Sequence, residues 1–237
     1  MLKLIRENSH GNDITTSYDD VKKSYYKSTF TIHGTSLIKN EQRGINFFNN
    51  LNPNNEIFYK KYSKNSYQRI EIKQIKGKIV DYRKSFYENS NYFAKAIDFY
   101  FDYWPHNKKQ NCHGDLTLDN IIFKKNKLII FDWEHYNFSN KIFYGYDLIY
   151  LILSGIILPG EKNFDQLSKK EFCKLYKKLI SSKINNKFLK NPFKSIDKII
   201  SNVLTNIFIR SPNKFITISI KNKFKTEIIN FMNKEIF

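Results

Sequence analysis

Asp115, Asn120 and Asp132 lie in one stretch, Cys112 to Glu134, which reads CHGDLTLDNIIFKKNKLIIFDWE. An aspartate follows His113-Gly114, an asparagine comes five residues later, and a second aspartate closes an apolar segment. That order suits phosphoryl transfer. Asp115 would take or orient the proton of an attacking hydroxyl. Asn120 and Asp132 would hold the Mg²⁺ ions that bridge the phosphates of ATP. The plainer alternative is a helix-capping aspartate and a polar asparagine ahead of an ordinary strand. The motif carries weight only in a suitable local context. Here that context is a loop, a strand, a turn, a strand and then the second aspartate. Ile121 to Phe123 and Leu128 to Phe131 supply the strands, with Lys124-Lys125-Asn126-Lys127 as a hairpin turn.

The elements that must position these residues can be read outward from that stretch. Upstream, Leu2 to Arg6, Ile14 to Ser17 and a run beginning Val21-Lys22-Lys23-Ser24 read as short strands. Ser9 to Asp13 and Tyr18-Asp19-Asp20 carry turn chemistry. The first of these turns holds Gly11, whose backbone would approach a phosphate closely. Residues 25–34 read as a loop or short insertion. Leu37 to Leu51 then repeats apolar residues at three and four, the signature of a helix with one buried face. Glu41 sits on its first turns. Ile57 to Tyr62 and Tyr67 to Ile75 are strands, the second strongly alternating. A turn at Lys76-Gly77-Lys78 follows. Val80 to Trp104 reads as helical and rich in aromatics, which at such spacing are core residues. Downstream, Leu148 to Pro159 is a buried helix, too short to span a bilayer. Further amphipathic helices are expected over 169–181, 196–209 and 224–237.

Composition bounds the class. The chain has 237 residues, of which 41% are hydrophobic and 16% aromatic, so it is globular rather than disordered. Two cysteines, Cys112 and Cys173, give no disulfide framework and fit a reducing, cytoplasmic setting. The N-terminal run carries no signal-peptide pattern. The net charge is +18. It favours anionic partners such as ATP, a phosphorylated substrate or, transiently, an anionic membrane surface. Lysines are spread over the whole length with no basic block interleaved with aromatics, so nucleic acid is disfavoured as a partner.

HGDLTLDN followed by IIFDWE resembles the aminoglycoside phosphotransferase and choline kinase group, whose fold is protein-kinase-like. The resemblance implies an α+β, two-lobed chain. Its N-terminal lobe, 1–76, would be a small antiparallel sheet with one helix. Its larger, mainly helical lobe, 77–237, would carry catalysis and the acceptor, with a hinge at about 73–77. Backbone at Gln74 and Ile75 would meet the adenine. Asp115 resembles the catalytic base, Asn120 and Asp132 the Mg²⁺ ligands. Asp147 resembles the buried aspartate that hydrogen-bonds the catalytic-loop backbone. Glu41 would pair with a strand lysine and fix it on the ATP phosphates. That lysine is Lys22 or Lys23. Alternate strand residues share a face, so if Val21 packs toward the adenine, Lys23 points the same way; it is the choice.

Asp147 follows Asp132 by only 15 residues, too few for the activation segment of a protein kinase, and no Ala-Pro-Glu end is present. The acceptor is therefore expected to be a small hydroxylated molecule: a sugar, an amino alcohol or a related metabolite, including those of surface polysaccharides. Two alternatives stand beside this kinase. One is a catalytically weak nucleotide-binding pseudokinase, motivated by the single glycine of the first turn. The other is a basic protein that binds nucleic acid or membrane surfaces.

Overall fold

The computed structural model describes residues 2–6, 13–51, 57–105, 110–125, 127–139, 145–157 and 166–181, with Thr205, Thr226 and Asn230. The chain divides into two compact units. One comprises Met1–Lys78 and Asn120–Asn137, the other Ile79–Asp119 and Phe138–Phe237. The first boundary lies between Lys78 and Ile79, and residues 120–137 group with the first unit.

The first unit is built on strands β1 (Leu2–Arg6), β2 (Thr15–Asp19), β3 (Ser24–Thr29), β4 (Tyr59–Lys64) and β5 (Tyr67–Lys73), with helix α1 (Ile32–Leu51) between β3 and β4. These five strands form one sheet in the order β1-β2-β3-β5-β4. Its pairings are all antiparallel. Residues 25–34, expected as a loop, instead supply most of β3 and the start of α1. The reason lies one turn earlier. The Asp19 carboxylate accepts hydrogen bonds from the backbone N–H groups of Val21 (2.9 Å) and Lys22 (3.1 Å), an Asx turn. Lys23 is then left-handed, at φ 50°. The turn uses up the residues first assigned to the strand, and β3 begins at Ser24.

α1 buries Leu37, Ile38, Glu41, Ile45 and Phe48, positions spaced three and four apart as its pattern predicts. A two-residue strand, β6 (Lys78–Ile79), follows β5. Two later strands, β8 (Ile121–Lys124) and β9 (Lys127–Ile130), form the predicted antiparallel hairpin, with Ile121 opposite Ile130. A short 3-10 turn at Trp133–His135 comes next and packs on α1. Gly44 makes that packing possible: a Cβ there would lie 2.4 Å from the Trp133 Cβ.

The second unit contains helices α2 (Ser90–Tyr103), α3 (Tyr146–Ile157) and α4 (Gln166–Ser181), with strands β7 (Gln110–Cys112) and β10 (Asn137–Ser139). α2 starts ten residues later than the expected Val80, because residues 80–89 form turns in which Asp81 and Glu88 accept local backbone hydrogen bonds. Phe86 and Phe93 stack at 4.4 Å between ring centroids, and Phe172 of α4 meets Phe86 edge-on at 5.8 Å. α3 is buried almost throughout. Among the described residues no helix is long and apolar enough to cross a membrane. Apart from Thr205, Thr226 and Asn230, the stretches 196–209 and 224–237, expected as helices, lie outside the described residues, as does the turn holding Gly11.

Candidate active site

In the first unit, one lysine collects three carboxylates. Lys27, the fourth residue of β3, places its Nζ 3.0 Å from Glu41 Oε2, 2.5 Å from Asp132 Oδ1 and 2.9 Å from Glu134 Oε1. Its side chain is 11% exposed and that of Glu41 1%. This corrects the strand lysine. Lys23 lies in the exposed turn before β3 and Lys22 beside it, whereas Lys27 points from the strand to α1. Glu41, expected to pair with Lys23 or Lys22, pairs with Lys27 instead. The signal that could have found Lys27 is the alternation of Tyr25, Lys27 and Thr29 once the Asp19 turn is allowed for.

Burial opposes the charge on Lys27, but Asp132, Glu134 and Glu41 outweigh it and hold the amine well above its ordinary range. Burial acts first on Glu41 as well. Together with the charges of Asp132 and Glu134 it overcomes the attraction of Lys27 and pushes the carboxyl up to about 8.

Asp132 is a left-handed non-glycine residue, at φ 66° and ψ 56°. Such a conformation is tolerated by aspartate better than by most side chains, and it turns the chain sharply out of β9. The turn is held from both sides. The Phe131 N–H donates to the Asn120 carbonyl (3.1 Å), and Trp133 Nε1 donates to the Ile130 carbonyl (2.9 Å). Asn40 Nδ2 of α1 donates to the Glu134 carbonyl (3.2 Å). Asn120, beside β8, is buried.

Whether a divalent cation fits can be judged from the donors present. Glu41, Asp132 and Glu134 each offer a carboxylate oxygen, and these oxygens lie within 4.8 Å of one another. Glu41 Oε1 is buried with no hydrogen-bond partner. An all-oxygen, carboxylate-rich set is what Mg²⁺ selects, so the residues fit the ion.

The second unit carries the loop with Asp115. Asp147, fully buried at the start of α3, accepts hydrogen bonds from the His113 N–H (2.8 Å), the Gly114 N–H (3.0 Å) and Cys112 Sγ (3.2 Å). A single carboxylate thus gathers three successive donors, as expected of the buried aspartate. Gly114 adopts φ 83°, which only glycine takes without cost. His113 is fully buried, and its Nδ1 accepts the Asp115 N–H at 3.3 Å. The phenol of Tyr150, one turn along α3, donates to Asp115 Oδ1 at 2.5 Å. In the sequence Tyr150 reads only as part of an apolar helix; the signal for it is its position three residues after Asp147.

Of the two hinge residues, Gln74 is engaged by the sheet. Its N–H donates to the Lys23 carbonyl (2.8 Å), and its side-chain oxygen accepts the Tyr18 hydroxyl (2.9 Å). Ile75, the next residue, is half-buried.

Residues 68–162 match the family model described as the phosphotransferase enzyme family. No curated protein matches the chain. Among solved structures, the chain is similar to the aminoglycoside phosphotransferase APH(2'')-Ib in an ADP-bound crystal structure, at 12% identity over 98% of this chain and 92% of that one, with a TM-score of 0.47. It is also similar to the choline kinase LicA from Streptococcus pneumoniae, at 11% identity over 99% and 94% of the two chains and a TM-score of 0.45. A third likeness is to APH(2'')-IIa in a ternary complex with streptomycin and ATP, at 12% identity, 86% and 82% coverage and a TM-score of 0.44. The family match spans both motifs, HGDLTLDN and IIFDWE, that carry the resemblance read from the sequence. The fold is α+β, with a lysine on the third strand of an antiparallel sheet paired to a glutamate on the helix that follows.

Proposed function

We propose that the protein transfers the γ-phosphoryl group of ATP to a hydroxyl of a small molecule. The observation that carries this reading is the Lys27–Glu41–Asp132–Glu134 cluster in the chain order of a phosphotransferase. Phosphoryl transfer asks a protein mainly to position charge. Lys27, charged well beyond neutral pH, supplies a cation for the nucleotide phosphates, and Glu41 holds it in place. Asp132 and Asn120 would hold Mg²⁺, with Glu134 beside them. Bound there, the ion would neutralise charge on the phosphate oxygens.

Asp115 receives the proton of the acceptor hydroxyl. Tyr150 engages its Oδ1, which fixes the carboxylate, and Asp147 fixes the loop that carries it. Ile75 offers backbone to an adenine; Gln74 offers only its carbonyl, since its N–H is spent on Lys23. The short interval from Asp132 to Asp147 leaves a small molecule as the acceptor. Sugars and amino alcohols fit a chain of this charge better than polycationic aminoglycosides do.

The test is ADP release from ATP and Mg²⁺ across a panel of hydroxylated metabolites, with Asp132→Ala as the blank. Lys27→Met should lower kcat/KM by about 10²-fold or more, the usual cost of removing one preorganised charge. Lys23→Met should leave it within about twofold, because an exposed turn lysine is not part of the cluster. Melting curves confirm that each variant is folded. Equal turnover by Asp132→Ala, or loss on Lys23→Met and not on Lys27→Met, overturns the assignment.

A further inference from the structure

The five-stranded sheet has a second face. Register places Tyr26 opposite Glu71, Ser28 opposite Arg69 and Tyr62 opposite Arg69. These residues alternate with Lys27 and Ile70, so they lie on the side of the sheet away from Lys27. That side holds an open hollow of about 630 Å³, bordered by Lys22, Lys61 and Lys64 and floored by Tyr26, Tyr62, Arg69 and Glu71.

Arg69 is the unusual residue there. Its guanidinium stacks on the Tyr26 ring at 3.7 Å from the centroid, with Tyr62 at 5.9 Å. Its Nε is buried and has no hydrogen-bond partner. No carboxylate lies within ion-pair distance of Arg69, Lys22, Lys61 or Lys64 among the described residues. The one acid of the hollow, Glu71, is already committed. Its oxygens accept the hydroxyls of Ser24 (2.9 Å) and Tyr62 (2.8 Å), and Lys73 lies 3.6 Å away. An arginine fork held flat on an aromatic ring, with unspent donors and flanking lysines, is a receptor for a tetrahedral oxyanion. The volume is that of a small-molecule site.

We propose that this hollow binds a small phosphorylated molecule, with Arg69 gripping the phosphate and Lys22 and Lys64 neutralising the rest of its charge. The site is separate from the Lys27 cluster, on the other face of the same sheet. Arg69 is its positioning donor. Lys64, on the edge strand β4, is exposed and free to follow the ligand.

Pyrophosphate is the probe, titrated calorimetrically into the full chain at fixed ionic strength. Arg69→Gln should weaken binding at least about 10-fold. Arg69→Lys, which keeps the charge but loses the fork, should recover only part of that. Because Arg69 also covers Tyr26, Lys64→Gln serves as a variant that cannot unfold the sheet, and it should weaken binding several-fold. Lys27→Met should leave the affinity unchanged. Unchanged affinity in both Arg69→Gln and Lys64→Gln overturns the proposal, as does loss of binding in Lys27→Met, which would place the anion in the nucleotide site. A single-stranded oligonucleotide or an anionic phospholipid vesicle that displaces pyrophosphate and binds more than about 100-fold tighter, with a steep salt dependence, overturns the small-molecule assignment in favour of a polyanion.

Discussion

Lys27 and Glu41 are both buried, and burial penalises both of their charges. Three carboxylates around one amine leave an excess of negative charge, and that excess falls on the least exposed acid. Glu41 therefore binds its proton up to about pH 8, against about 4.5 in an unfolded chain. The sign follows directly. Between those values the folded state holds more protons than the unfolded one, so stability falls as pH rises. In chelator-containing buffer, thermal stability should decline from about pH 5 to about pH 8. Glu41→Gln, which cannot titrate, should flatten that decline, read as the difference between the two melting-temperature profiles. Parallel profiles would show that Glu41 is ionised throughout.

At the scale of elements, α1 joins the lysine to the second aspartate within the first unit. Its Glu41 turn faces Lys27, and one turn further Gly44 lies against the indole of Trp133, which also meets Phe47 and Phe48. Asp132 immediately precedes that tryptophan, so the depth to which Trp133 seats on α1 sets where the carboxylate lies. Gly44→Ala gains helix propensity worth about 1 kcal/mol. The added methyl would nevertheless sit 2.4 to 2.7 Å from three Trp133 atoms, and overpacking of this kind costs about 1–3 kcal/mol. The net expectation is destabilisation in chemical denaturation, with the 3-10 turn displaced. Stabilisation would mean that Trp133 moves aside freely. Much of this element was legible beforehand. The apolar spacing over Leu37–Leu51 and the β8–β9 hairpin are local patterns, as is the buried run of α3. Lys27 was not legible for a local reason too: the Asp19 turn shifts the start of β3 by three residues, and that shift moved the lysine. The Tyr150–Asp115 bond and the Arg69–Tyr26 stack join residues far apart in sequence, which no window of spacing reveals.

For the whole molecule, charge is the dominant fact. Forty lysines and arginines face 22 aspartates and glutamates, so even with every acid paired 18 basic side chains have no acid to meet. Such ion pairs as Lys3–Asp20 and Arg83–Asp81 are largely exposed and contribute little. Self-repulsion among the remaining lysines opposes compaction. The Debye length shrinks from about 30 Å at 0.01 M salt to about 8 Å at 0.15 M, which removes most repulsion between surface lysines. The buried Lys27 cluster is screened far less. Sodium chloride over that range should therefore raise the melting temperature, by roughly 2–4 °C for each kcal/mol of repulsion relieved at this chain length. The same experiment separates general screening from the hollow on the sheet. At fixed ionic strength, submillimolar pyrophosphate should add a further rise that Arg69→Gln abolishes, while the chloride effect persists in that variant. A melting temperature that falls with sodium chloride would show that attraction between surface charges outweighs repulsion despite the excess of lysine.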